Sequence, residues 1–348
     1  MLSFVGDDYL RSRQVTYNSS ARHGNVITKF MSKLSPDRPN RSRAILQGLA
    51  YALALGLLAT SIWYAIEDQR SEDWQALLDA EPMILLALVV TVIVSAVLIP
   101  GLQFWLVTRP FVSTTPLSIP VMQALLAASS LLNYTPVKAG LIGRVGYLRQ
   151  YHGVGFRAAV LTHILIGAMF VATATIILLA TALRSAYDAG WWSILVAGLI
   201  LAAVLAAPVW RLSIPHSMPV DSRMRDSIGW VARYLFVCLV AQVAALFAAA
   251  LRWWLVFRML DRPISIADAW LAAIVHMVSI MLGPANGLGL REWLIGIVGQ
   301  QGWLGDALPA DIGVGLTAAL VDRTIEAAVL IVAGSLALWF LRREPRTK

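Results

Sequence analysis

Two short stretches of this chain set a proline, glycines and an arginine into otherwise apolar sequence. The first is Pro136-Val137-Lys138-Ala139-Gly140-Leu141-Ile142-Gly143-Arg144; the second is Pro284-Ala285-Asn286-Gly287-Leu288-Gly289-Leu290-Arg291-Glu292. Proline and glycine interrupt a hydrophobic helix. A helix restarting after the break, near Leu141 or Leu288, turns its unpaired amides and positive dipole end toward the break. An anion is stabilised at such a place, and Arg144 and Arg291, each a turn or two into the restarted helix, add forked donors suited to phosphate, with Lys138 beside the first. The opposing reading is packing: kinked helices whose arginines reach up to headgroups. A second set of charges, Asp322, Arg323 and Glu326, lies deep in an apolar run, and its spacing of three and four residues places it on one helical face. Ionisable groups inside a membrane are functional by default; the alternative is an internal ion pair, Arg323 with Glu326, joining two helices.

These elements occur twice. Val154-Gly155-Phe156-Arg157-Ala158-Ala159-Val160-Leu161-Thr162-His163 recurs as Val314-Gly315-Leu316-Thr317-Ala318-Ala319-Leu320-Val321-Asp322-Arg323, and a Pro/Gly break precedes each copy. Broken hydrophobic segments at corresponding places in two halves mark the substrate site of transporters with internal repeats. His163 falls at the position of Arg323. An imidazole can titrate near neutral pH, which allows a proton relay, whereas a hydrogen-bonded core histidine is the plainer reading; the same two readings apply to His276.

The elements that must carry these residues are membrane helices. With 348 residues, 58% of them hydrophobic and only 14% charged, the chain holds more apolar surface than a soluble core can hide. Stretches of about 20 apolar residues, long enough to cross a bilayer, run over 44–66, 83–107, 158–183, 191–210, 228–256 and 313–341. Two further apolar segments, 117–134 and 266–283, lead straight into the breaks. Charge orients the spans. Residues 1–43 are basic, lack a signal-peptide pattern and are expected to be a flexible tail; the loop after the first span is acidic, with Glu67, Asp68, Glu72, Asp73, Asp79 and Glu81 against Arg70, so the tail is expected on the cytoplasmic side.

A full crossing by 117–134 would put Lys138, Arg144, Arg149 and Arg157 outside, against the positive-inside rule. That segment is therefore expected to be re-entrant, as is 266–301 from the opposite side, and both termini are inside, the last at Arg342, Arg343, Arg346 and Lys348. The expected fold is an all-α polytopic membrane protein of about six full spans and two re-entrant hairpins. Its single membrane domain, 44–341, contains an inverted repeat, 83–183 and 228–341, followed by a basic end, 342–348. Eight full crossings with the same inside termini is the alternative. On this reading Arg252-Trp253-Trp254 lies in an interfacial aromatic belt, and both breaks border a cavity, because non-helical backbone at membrane depth needs shielding by protein or water.

Several chemistries are excluded or disfavoured. The net charge of +8 is concentrated at membrane edges, where it serves orientation and anionic lipid rather than nucleic acid. One cysteine, Cys238, cannot form a disulfide within the chain or a metal cluster. There is no Walker-type loop, HExxH or GxSxG motif, and no cofactor is expected. Small residues such as Ala52, Ala54 and Gly56 suit close helix packing or a homo-oligomer.

The residues Pro284 to Glu292, the Ala318-Ala319 and Arg323 helix, and Pro136, Gly140 and Arg144 resemble the flippase-like transmembrane region of lysylphosphatidylglycerol synthetases and its stand-alone relatives, over roughly residues 45–341. The chain departs from that pattern at Leu141, where an acidic residue is usual, and at His163 in place of arginine. The resemblance implies two opposed re-entrant hairpins and movement of aminoacylated phospholipid between leaflets, without the synthetases' soluble aminoacyl-transferase domain. The function expected is a lipid translocase of the bacterial inner membrane for a phosphate-bearing, anionic or aminoacylated lipid. The pocket is then Lys138, Arg144, Arg291 and Arg323, the hairpin breaks are Pro136, Gly140, Gly143, Pro284, Gly287 and Gly289, and His163, Glu292, Asp322 and Glu326 form a polar network. The alternatives are an intramembrane enzyme on a phospholipid or polyprenyl-phosphate, with Glu292 or Glu326 as general base, and a non-catalytic partner of a lipid synthase or glycosyltransferase.

Overall fold

The computed structural model describes residues 41–67, 79, 81–134, 139–183, 187–214, 227–283, 287–300 and 312–343, and all of the regular structure in them is helical. The helices are α1 (Arg41–Glu67), α2 (Pro82–Phe111), α3 (Ile119–Leu132), α4 (Ala139–His152), α5 (Phe156–Leu183), α6 (Ala189–Ser213), α7 (Ile228–Met259), α8 (Ile266–Leu282), α9 (Leu290–Gln300) and α10 (Ile312–Arg343). Contacts divide the chain after Gly48, and all that follows concerns the unit 49–348. Most of the expected basic tail lies outside the described residues, as do Pro136, Lys138, Pro284, residues 344–348 of the basic end and the acidic loop except Glu67, Asp79 and Glu81.

Five helices, α2, α5, α6, α7 and α10, are long and apolar enough to cross a membrane. The expected spans 83–107, 158–183, 191–210, 228–256 and 313–341 each fall within one of them. The remaining expected span, 44–66, falls in α1, whose apolar part is the shorter stretch Ala52–Trp63. The outward faces carry large apolar side chains, including Leu178 and Leu179 on α5, Leu201, Leu205 and Val209 on α6, and Ile331, Val332 and Leu336 on α10. A surface of that kind is stable against acyl chains and unstable against water. The molecule is a helical, multi-pass membrane protein.

Local chemistry sets where helices begin. The side chains of Ser118, Asp188, Ser227 and Ser265 accept hydrogen bonds from the amides of Val121, Trp191, Trp230 and Asp268, three residues on. Each satisfies an amide that the first turn leaves unpaired. At Ser265 the bond is reciprocated, the Asp268 carboxylate accepting from the Ser265 amide, a capping box. Inside α2 a π-turn over Val94–Leu98 immediately precedes Pro100. Proline lacks the amide proton and crowds the carbonyl one turn back, and the widened turn accommodates it.

Helix α7 is central, packing on α6, α8 and α2 and touching α5 and α10. Its buried ladder Val231, Leu235, Cys238, Gln242, Ala245, Ala249, Arg252, Val256 follows the three-and-four spacing of a helix face. Gln103 on α2 donates to Gln242 across this interface, and the Tyr234 hydroxyl donates to the Leu106 carbonyl at 3.0 Å. Helix α10 packs chiefly against α3 and α9, while α3 contacts α4, and α8 contacts α9.

Candidate functional site

The second break is built by glycine. Gly287 and Gly289 have φ of +76° and +75°, a region that side-chain-bearing residues rarely adopt, and a Cβ on Gly289 would lie 2.4 Å from the Ala54 carbonyl oxygen of α1. The turn starts α9, the Arg291 amide donating to the Gly287 carbonyl at 2.9 Å. This aims the Arg291 side chain at α10. Its Nη1 donates to Glu326 Oε2 at 2.7 Å and lies 3.3 Å from Asp322 Oδ2. Arg252 reaches the same two carboxylates from α7: Nη2 donates to Asp322 Oδ2 at 2.6 Å and to Glu326 Oε2 at 2.7 Å, and Nε donates to Asp322 Oδ1. Arg323 Nη1 stands 3.2 Å from Glu292 Oε1, and Arg291 Nε 3.8 Å from the same oxygen.

Three arginines and three carboxylates thus meet among α7, α9 and α10, and all six are buried, Arg291 being 1% and Glu292 0% exposed. Stripping water from one ion costs several kcal/mol, so such a cluster persists only because each charge faces its opposite. Arg291 Nε and Nη2 and both Glu292 oxygens carry no hydrogen bond, and charge proximity holds them. Glu326 Oε2 already accepts from two arginines, a poor starting point for a general base. The expected set Arg291, Glu292, Asp322, Arg323 and Glu326 is therefore brought together.

The first break has a different outcome. The Asn133 carbonyl oxygen Oδ1, at the end of α3, accepts the Leu141 amide at 3.1 Å, so a side chain from before the break caps the helix after it. Gly140 is required by contact: a Cβ there would lie 1.8 Å from the Ser129 carbonyl oxygen, whereas Gly143 meets nothing within 4 Å. Arg144, 6% exposed, lies with its guanidinium carbon 4.0 Å from the Phe104 ring centroid of α2. Its Nη2 bonds His163 Nε2 on α5, and its Nε has no partner. His163 Nδ1 bonds the Ala159 carbonyl at 2.7 Å. That carbonyl only accepts, so Nδ1 carries the hydrogen; the guanidinium only donates, so Nε2 offers its lone pair. Among the described residues no carboxylate pairs with Arg144.

The halves also correspond in ways that sequence reading missed. Pro116-Leu117-Ser118-Ile119 opens α3 and Pro263-Ile264-Ser265-Ile266 opens α8. Counted back from these starts, Arg252 in α7 falls at the place of Trp105 in α2, the residue next to Phe104. Arg291 also meets a histidine, its Nη1 3.3 Å from His276 Nδ1, and the His276 ring meets Trp253 edge-on at 5.8 Å, much as His163 meets Phe104 at 5.3 Å. Arg252 and Trp253, expected in an interfacial belt, are buried. The available signal for Arg252 was its register against Ile266, and for Phe104 its register against Ile119. Tyr134, at the edge of the first break, lies with its ring centroid 5.5 Å from the Arg323 guanidinium, and its buried hydroxyl has no hydrogen-bond partner. No family model matches the chain, and no curated protein or solved structure does so.

Proposed function

We propose that the chain is a membrane lipid translocase that moves a phosphate-bearing, anionic or aminoacylated lipid between leaflets. One observation carries the reading: Arg144 is a buried cation with an unpartnered donor and no carboxylate among the described residues. An isolated ion in so dry a place is costly, and an entering anion relieves that cost. Phosphate accepts from the unpartnered Nε edge of the guanidinium while Phe104 covers its face. Acyl chains stay in the bilayer.

The rest of the fold supports this assignment. At 1.5 Å per residue, α3 and α8 are about 21 and 26 Å long, short of the roughly 30 Å hydrocarbon core, which suits re-entrant hairpins ending at the breaks. The matched breaks and helix starts suit an inverted repeat whose halves rock to alternate access. Arg291 belongs to the neutral cluster that fastens α7, α9 and α10, and Arg144 to the headgroup. The resemblance of Pro284 to Glu292 and of the Arg323 helix to flippase-like regions points the same way, and on this proposal the protein lies in the inner membrane with both ends cytoplasmic.

The test is scrambling in liposomes holding purified protein, headgroup-labelled phosphatidylglycerol and a labelled neutral lipid, with dithionite quenching the outer leaflet. Both leaflets of phosphatidylglycerol become accessible in the wild type, and Arg144→Gln slows this tenfold or more. Absence of movement in the wild type, with or without an ion gradient, overturns the reading.

A further inference from the structure

We propose that the Arg144–His163 pair binds its anion together with a proton, so that a phosphate oxyanion entering on Arg144 is matched by uptake of one proton from water onto His163 Nε2. The inference rests on the reading that Arg144 receives the anionic group, and it adds the ion that accompanies the substrate.

Hydrogen-bond bookkeeping at the pair requires the coupling. In the structure His163 Nδ1–H is committed to the Ala159 carbonyl, and the Nε2 lone pair to Arg144 Nη2. This arrangement selects the neutral ring, because a proton on Nε2 would face another N–H and set two cations in contact without a counter-charge. An oxyanion coming between the two side chains reverses the requirement. It accepts from Arg144, but against a neutral ring it meets only a lone pair; protonated Nε2 donates to it instead. Empty and loaded states therefore select different protonation states of one imidazole. Linkage makes the effect reciprocal: if the anion favours the proton, the proton favours the anion.

The surroundings sharpen this. Among the described residues Arg144 on α4 is the one charged side chain acting on His163, α2 brings the Phe104 ring to it, and no titratable side chain of α6 or α7 acts on it. Among the described residues no carboxylate acts on the ring to neutralise its protonated form, so that role falls to the arriving anion. The corresponding position in the other half is Arg323, whose guanidinium stands 3.2 Å from the Glu292 carboxylate, and a guanidinium, already protonated, takes up no proton. The asymmetry allots coupling to the first half alone.

The experiment uses purified full-length protein in weakly buffered detergent micelles containing a pH indicator. Phosphatidylglycerol, a phosphodiester that does not itself titrate near neutral pH, is added, with diacylglycerol as the uncharged control and glycerophosphoglycerol as the same headgroup without chains. Binding of phosphatidylglycerol takes up as much as one proton per protein, and affinity rises as pH falls from 8 toward 5.5, approaching tenfold per pH unit in the limit of one linked proton. His163→Gln, whose amide oxygen still accepts from Arg144, binds the lipid without proton uptake and with flat pH dependence. Uptake on glycerophosphoglycerol supports the proposal with a free phosphodiester as sufficient ligand; uptake only on the lipid supports it with the chains required. Wild-type binding of phosphatidylglycerol at constant affinity and without proton uptake overturns the coupling and leaves the anion site standing. Binding no stronger than that of diacylglycerol removes the anion site and the coupling together.

Discussion

Arg144 and Arg291 each stand near the start of a short helix that follows a break, each touches a histidine, and each histidine meets an aromatic ring edge-on. What surrounds them differs. Arg291 shares Glu326 and Asp322 with Arg252 and lies beside Glu292, so its charge is neutralised within the protein. In α2 the first half has aromatic side chains, Phe104 and Trp105, where α7 brings Arg252, and where the second half has Arg323 against Glu292 it has His163. The lesson is that repetition of a motif does not repeat its role. A guanidinium closed in by carboxylates serves assembly, while the same group left without them is available to something that comes and goes.

The largest test of this contrast sets Arg291→Met against Arg144→Met. Removing Arg291 leaves Glu326 and Asp322 to share Arg252 alone, a loss of about 3–5 kcal/mol, seen as a large fall in thermal stability in detergent. Arg144→Met discards a charge that nothing compensates, and stability changes by about 1 kcal/mol or less while scrambling falls. Equal damage from the two would break the comparison. Next, His163→Arg installs the guanidinium of the second half without its carboxylate and lowers stability by about 2 kcal/mol, an unpaired buried charge being the cause. Val145→Glu, which follows Arg144 as Glu292 follows Arg291, restores most of it in the double variant, and failure of that rescue would show that the halves are not superposable in this respect.

Smaller effects sharpen the same contrast. Gly140→Ala meets the Ser129 carbonyl and costs about 1–3 kcal/mol, whereas Gly143→Ala, open on its Cβ side, stabilises α4 by up to about 1 kcal/mol; thermal unfolding in detergent ranks them. Smallest are the caps. Ser265→Ala removes half of a reciprocal capping box and costs about 1 kcal/mol, and Ser118→Ala, with a single 3.4 Å bond, costs less.

The crossing helices were legible from sequence because an apolar run of 20 or more residues is a local signal, and the runs fall inside α2, α5, α6, α7 and α10. The members of the charge cluster on α9 and α10 were legible for a similar reason: Arg291 and Glu292 adjoin a glycine turn, and Asp322, Arg323 and Glu326 interrupt an apolar stretch. Their pairing was not. Arg252 answers to Asp322 and Glu326 through tertiary contact, and no spacing rule on α7 points there; its tryptophan neighbours suggested a membrane edge instead. Tyr134 was hidden likewise, because its relation to Arg323 exists only once α3 lies along α10. The neutral tautomer of His163 depends on which atoms face it, which the sequence does not contain.

Arg252 is separated from Asp322 by 70 residues of chain, and the two are made in that order. During synthesis α7 reaches the insertion machinery carrying an arginine whose partner has yet to be translated; the apparent insertion cost of about 2.5–3.5 kcal/mol for arginine at a helix centre is an upper bound for Arg252, which lies in the C-terminal third of α7. The rest of α7 is apolar enough to carry it, but the charge stays unanswered until α10 arrives. The last helix to be made is thus the one that completes the buried charge pairing: a chain stopped short of Asp322 leaves Arg252 without either of its carboxylates.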